Sequence, residues 1–129
     1  MAQKMSPVHI LKKISSIGVL CMFQAKKLTI SGYDFISYEV FLPKTTLLVV
    51  ANDVGYIMCA AVDIDFFNQT PKLVERKIVA ARAEGVRTIE ELIDAPMAKL
   101  TFTAQDLGIY HGMSGRDALV MMAKSGEQG

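Results

Sequence analysis

The sequence predicts an α+β fold: an N-terminal antiparallel β meander covered by short helices, with the sheet region used for oligomerisation. Three observations point there. Between Leu28 and Val62, apolar residues recur with a strand-like pattern broken by short turn segments. From Asp63 onward the chain breaks into short stretches opened by Asp, Pro, Thr or Ser, the residues that start helices. Counted with Gly in place of Tyr, apolar residues make up about 55% of the 129 residues, more than a monomer of this size easily buries, and homodimer interfaces resemble a core cut in half.

The elements follow in order. Ser6-Pro7 reads as an N-cap followed by proline at the first helical position. Ile10, Leu11, Ile14, Ile17 and Leu20 then recur at helical spacing, with Lys12 and Lys13 opposite. From Leu28 the period becomes two. Leu28 and Ile30, then Phe35 to Leu42, flank a hairpin turn at Ser31-Gly32-Tyr33. Pro43-Lys44 ends the second strand, because proline brings no ladder donor. Thr45 to Ala51 is a third strand, and Asn52-Asp53-Val54-Gly55 a second tight turn. Tyr56 to Val62 reads as a fourth strand whose lack of alternation implies burial on both faces.

Asp63 can cap a helix over Ile64 to Asn68, and Pro71 opens another turn to Arg76. Lys77 to Ala83 reads as a strand and Gly85-Val86-Arg87 as a turn. Thr88-Ile89-Glu90-Glu91 is a capping box for a helix ending near Asp94, before Pro96. Leu100 to Thr103 reads as a further strand, with a helical turn starting at Thr103 or Asp106. Ser114 caps a C-terminal helix from Gly115 to Lys124. The segment from Ala83 to Lys99 is long enough for a parallel crossover.

Composition excludes several classes. The longest apolar run, Tyr56 to Val62, has seven residues, against about 20 for a membrane span. A net charge of +1 gives no general pull toward nucleic acid. Two cysteines without a clear secretory leader suggest a reducing, cytoplasmic setting. Cys21, Cys59, His9 and His111 are too scattered for structural zinc, and no cofactor motif is present. Charge is uneven: residues 1–27 hold five lysines and no acid, and the remainder nine basic and thirteen acidic side chains. This divides the chain into a basic extension, residues 1–23, a domain over 24–125, and a disordered tail, 126–129. The extension reads as a docked helix, or as an over-long start with Met22 opening the domain.

Four segments together carry a family resemblance: Leu42-Pro43-Lys44-Thr45; Gly55-Tyr56-Ile57-Met58-Cys59-Ala60 with Asp63; Gly85-Val86-Arg87-Thr88-Ile89-Glu90-Glu91-Leu92; and Leu107-Gly108-Ile109 through Gly112-Met113-Ser114-Gly115-Arg116-Asp117-Ala118-Leu119. Over roughly residues 25–123 the chain resembles the YunC-like family, a small bacterial and archaeal domain of unknown function. The resemblance implies a two-layer αβ sandwich whose N-terminal β region mediates tetramerisation. It implies no activity, so no catalytic residue carries over. Ala60 departs from the family pattern, where glycine is frequent, so the backbone there needs no positive φ.

Several constellations invite chemistry. Cys59 is a candidate nucleophile, with Arg82, Arg87 or His111 as the cation a thiolate would need; equally, it is a small buried hydrophobe beside Ile57 and Ala61. Gly112 to Arg116 could cradle an anion with free amides, the Ser114 hydroxyl, Gly115 and Arg116, or simply start a helix. Arg82 and Arg87 bracket Gly85 and could clamp an anionic ligand, or pair with Glu84, Asp63 and Asp65. Asn52 and Asp53 are turn residues that sit where a site could be, and His111 reads equally well as an exposed loop histidine. The leading expectation is a homo-oligomeric structural or small-anion-binding module, its partner a further copy in a dimer or tetramer, with neither nucleic acid nor membrane. The alternative is a small cysteine-dependent enzyme using Cys59 with Arg82/Arg87 or His111.

Overall fold

The first hairpin sets the frame of the sheet. In the computed structural model, which describes residues 23–61 and 64–128, β1 (Phe23–Ile30) and β2 (Tyr33–Leu42) pair antiparallel with Ile30 opposite Tyr33 and Phe23 opposite Val40. The turn between them places Ser31 at φ 53° and Gly32 at φ 86°, the primed hairpin geometry whose twist matches the strands. β3 (Thr45–Ala51) and β4 (Gly55–Met58) extend the meander. Asn52 Oδ1 builds their turn by accepting from the amides of Val54 at 2.9 Å and Gly55 at 3.0 Å.

The chain then crosses over through α1 (Ile64–Gln69) and α2 (Pro71–Glu75) to β5 (Val79–Arg82), which lies parallel to β4. After α3 (Ile89–Asp94), β6 (Lys99–Leu100) pairs with β5, and α4 (Phe102–Asp106) and α5 (Gly115–Gln128) complete the fold. The six strands lie in sequence order, β1 to β6. This is the expected α+β class, a mixed sheet with helices.

Alternation sorts the sheet into two faces. On one, Phe35, Leu48, Val50, Ile57 and Ala81 pack against Leu92 of α3 and Leu119 and Met122 of α5. On the other, Met58 and Ala80 pack against Ile64 of α1, with Val49, Tyr56 and Phe67 around them. Ile57 and Met58 thus enter different cores, which is why β4 shows no alternation. The helical cover is one layer under the meander and lies on both faces at β4 and β5.

Several boundaries differ from the sequence reading. β1 reaches back to Phe23, since Lys26 and Lys27 are exposed on an edge strand whose polarity carries no strand signal. β4 stops at Met58; the Cys59 amide still donates to the Leu48 carbonyl at 3.1 Å, and Ala60-Ala61 turn away. Ala60 is not among the positive-φ residues, as expected. The segment from Ala83 to Lys99 is no parallel crossover: β6 returns antiparallel on β5, and the parallel connection runs through α1 and α2. β6 is two residues long because Thr101 leaves the strand to cap α4, its Oγ1 accepting from the Ala104 amide at 3.2 Å. That puts Phe102 and Thr103 in a helix and moves the helix start ahead of Thr103. α5 runs past Lys124 through residues expected as a disordered tail. Its last turn is tied down by Tyr33, whose hydroxyl donates to Glu127 Oε1 at 3.1 Å. The expected helix after Ser6, with Cys21, lies outside the described residues, as does Asp63.

Candidate functional site

Cys59 lies just past β4 and is 4% exposed, in the main core. Its Sγ accepts from the Leu48 amide at 3.4 Å and faces the Thr46 carbonyl at 3.8 Å. No cation is bonded to it among the described residues. His111 is exposed in the loop before α5, with no bond to Cys59. Arg82, on the α1 side of β5 opposite Met58, pairs with Glu84 at 3.0 Å. Arg87 is exposed in the loop before α3.

The Gly112 to Arg116 segment is occupied by its own structure. Ser114 Oγ accepts from the Asp117 amide at 3.1 Å, the N-cap geometry. The Gly115 amide donates to the Ala95 carbonyl at 2.9 Å. A Cβ at Gly115 would sit 2.5 Å from the Leu92 carbonyl oxygen, so glycine there lets α5 press onto the end of α3. Arg116 pairs with Asp94 at 3.1 Å. These groups bind one another and lash the two helices together.

Two features were missed in the sequence. The first is a cleft of about 570 Å³ between the β2–β3 turn and the β5–α3 loop, lined by Lys44, Thr45, Thr46, Gly85, Val86 and Arg87. Only Arg87 was singled out in advance. The available signal was Lys44 after Pro43, in a two-residue turn whose second position takes positive φ and so favours glycine; Lys44 has φ 66°. The second is an apolar strip on β2. Ile36, Tyr38, Val40 and Leu42 point to the α1 side of the sheet but belong to neither core. Ile36 is 37% and Leu42 40% exposed. The sequence reading put self-association in this region without separating the two faces.

Comparison with known proteins decides the family. A family model described as a domain of unknown function, DUF1805, matches residues 58–122, half of the chain. A curated relative, the uncharacterized protein YunC of Bacillus subtilis (strain 168), is 52% identical over 103 residues, which cover 80% of this chain and all of that protein. The chain belongs to the DUF1805 family. The resemblance carried by the four sequence segments is therefore sound. A solved structure has the same fold: a protein of unknown function, TA1206 from Thermoplasma acidophilum, superposes with a TM-score of 0.69 at 24% identity, covering 78% of this chain and 93% of that one. The DUF1805 match takes in Cys59, Arg82, Arg87, His111 and the Ser114–Arg116 cap; Lys44 and the β2 strip lie before it. No helix among the described residues is long and apolar enough to cross a membrane.

Proposed function

We propose that this DUF1805 chain is a homo-oligomeric structural module, a dimer or tetramer whose copies meet through the strip of Ile36, Tyr38, Val40 and Leu42. The observation that carries it is the strip itself: four consecutive outward positions of one strand, all apolar or aromatic, outside both cores. A contiguous apolar face rimmed by polar residues is the usual mark of an association site. The one ion pair at its edge, Lys27 with Asp34 at 3.6 Å, joins opposite charges, so a second copy meets no net repulsion there. A two-fold axis through the strip lets the same residues serve both partners. Burial of about 800 Å² per copy is the usual scale for a stable interface. The strip and the neighbouring β1 edge supply the centre of such a patch.

The geometry around Cys59 favours this reading over a cysteine-dependent enzyme: the sulfur is buried and held by the backbone, without a base or cation at hand. A free thiol also accords with a reducing, cytoplasmic setting. Light scattering of the full chain at micromolar concentration is the test. A mass of two or four chains is expected, falling to one chain in Val40→Glu with the circular dichroism retained. A monomeric native protein, or a Val40→Glu variant of unchanged mass, overturns the proposal.

A further inference from the structure

The cleft between the β2–β3 turn and the β5–α3 loop has the composition of a ligand site. Both charged residues in its lining, Lys44 and Arg87, are cations, and no carboxylate lines it. Among the described residues Lys27, Arg82, Lys99 and Arg116 are committed to ion pairs, whereas Lys26, Lys72, Arg76, Lys77 and Lys124, like the two cations of the cleft, are not. Among the described residues the Lys44 ammonium and the Arg87 guanidinium have no acidic partner. The nearby acids Glu84, Glu90 and Glu91 line an adjoining pocket that shares Gly85 and Val86 with the cleft. Glu84 is bound to Arg82. Glu91 Oε1 accepts from the Arg87 backbone amide at 2.7 Å, while its own amide donates to the Thr88 hydroxyl at 3.1 Å. The capping box therefore anchors the backbone of Arg87 and leaves its side chain open to the cleft.

The backbone on both walls is held in unusual conformations. Lys44 sits at φ 66° and Gly85 at φ 74°. A lysine at that turn position costs roughly 1 kcal/mol relative to glycine, and it places a charge at the cleft mouth. Thr46, which alternates to the same face as Leu48, adds a hydroxyl that bonds to nothing among the described residues, while Thr45 points to the other face with Leu42. Two cations with a hydroxyl donor match a dianion bearing several oxygens. A phosphoryl group carries about −1.5 to −2 charges on three acceptor oxygens near pH 7, whereas a carboxylate offers one charge and two oxygens. The arginine fork suits two of the phosphoryl oxygens and the lysine acts as a point charge. The volume, about 570 Å³, exceeds what bare phosphate fills and is the size of a small-molecule pocket.

We propose that this cleft binds the phosphoryl group of a small phosphomonoester, through Lys44, Arg87 and the hydroxyl of Thr46. The proposal is independent of the oligomeric state. It is tested by titrating the isotope-labelled full chain with phenyl phosphate, inorganic phosphate and acetate, following backbone amide resonances. Saturable shifts are expected at Lys44–Thr46 and Gly85–Arg87, with phenyl phosphate bound more tightly than inorganic phosphate and acetate weakest. Arg87→Gln and Lys44→Gly should each weaken phenyl phosphate binding roughly tenfold or more, the scale of one lost hydrogen bond to a charged group. Lys44→Gly should do so while melting no lower than the native chain, because it relieves the turn; this separates loss of binding from loss of fold. No saturable shift at millimolar ligand, shifts centred on other residues such as Lys26 and Arg116, acetate binding as well as phosphate, or both variants binding like the native chain would each overturn it.

Discussion

The two faces of the β1–β3 meander are built from similar residues and treated oppositely by the rest of the chain. On one, Phe35, Leu48 and Val50 disappear beneath α3 and α5. On the other, Ile36, Tyr38, Val40 and Leu42 lie outside both cores, while α1 covers only the neighbouring β4–β5 end. Hydrophobicity alone therefore does not decide burial within one strand. The helices follow the strands in sequence, and the connections bring α3 and α5 to one face and α1 to the far end of the other. The same contrast separates the two kinds of work the sheet can do, holding the fold on one side and meeting a partner on the other.

The sharpest way to break this comparison is to truncate matching side chains on the two faces. Leu48→Ala, at a fully buried position, should cost about 2–5 kcal/mol by denaturant unfolding. Val40→Ala, at a half-buried position outside both cores, should cost about 1 kcal/mol, well below Leu48→Ala, when the protein is unfolded from the dissociated monomer. Equal losses at the two sites would show that the strip is core.

Next in size is Thr101, one of two buried polar residues among the described residues. Its Oγ1 accepts from the Ala80 amide at 3.1 Å as well as from Ala104, so one hydroxyl joins β5 to the start of α4. Thr101→Val should cost about 1–3 kcal/mol, because a buried amide then lacks its acceptor. Native-state hydrogen exchange should show faster exchange at Ala80 and Ala104 in particular, and unchanged protection at both would remove the assigned role.

Smaller again is the cap of α3, which holds the covered side of the comparison in place. Thr88→Ala should cost about 1 kcal/mol, read as a fall of a few degrees in melting temperature. Cys59 offers a kinetic reading of the same face. Alkylation at neutral pH should be slow in the native chain and jump on denaturation, and faster native labelling would reinstate the enzyme alternative.

The smallest expected effect concerns Tyr56, half-buried at the edge of the second core, whose phenol pKa is raised above 10.0 by desolvation. The folded state then holds its proton more tightly than the unfolded state. Its contribution to stability is complete below pH 10 and is lost as pH rises from there through the folded value. Tyr56→Phe should flatten the stability profile in that alkaline range, and an unchanged slope would remove Tyr56 as its cause.

Local chemistry sufficed for the elements whose signals lie within a few residues. Gly32 in a primed turn, the Thr88–Glu91 box and the Ser114 cap are all legible because a turn or helix start is satisfied by its own neighbours. The apolar run from Tyr56 likewise marked β4 as buried on both faces, which Ile57 and Met58 bear out. The tertiary structure decided what depends on distant partners. Phe102 is helical rather than extended partly because Asn68, 34 residues earlier, accepts from its amide at 3.0 Å and donates to the Leu100 carbonyl at 3.0 Å. β6 runs antiparallel because α3 turns the chain back to the β5 edge, a matter of packing that loop length alone does not set. Arg82 and Arg87 are five residues apart yet serve different surroundings, since strand alternation points one toward α1 while the loop carries the other to Lys44, 43 positions away in the chain. A sequence orders residues along one dimension, and the cleft exists only where two turns are brought face to face at one end of a folded sheet.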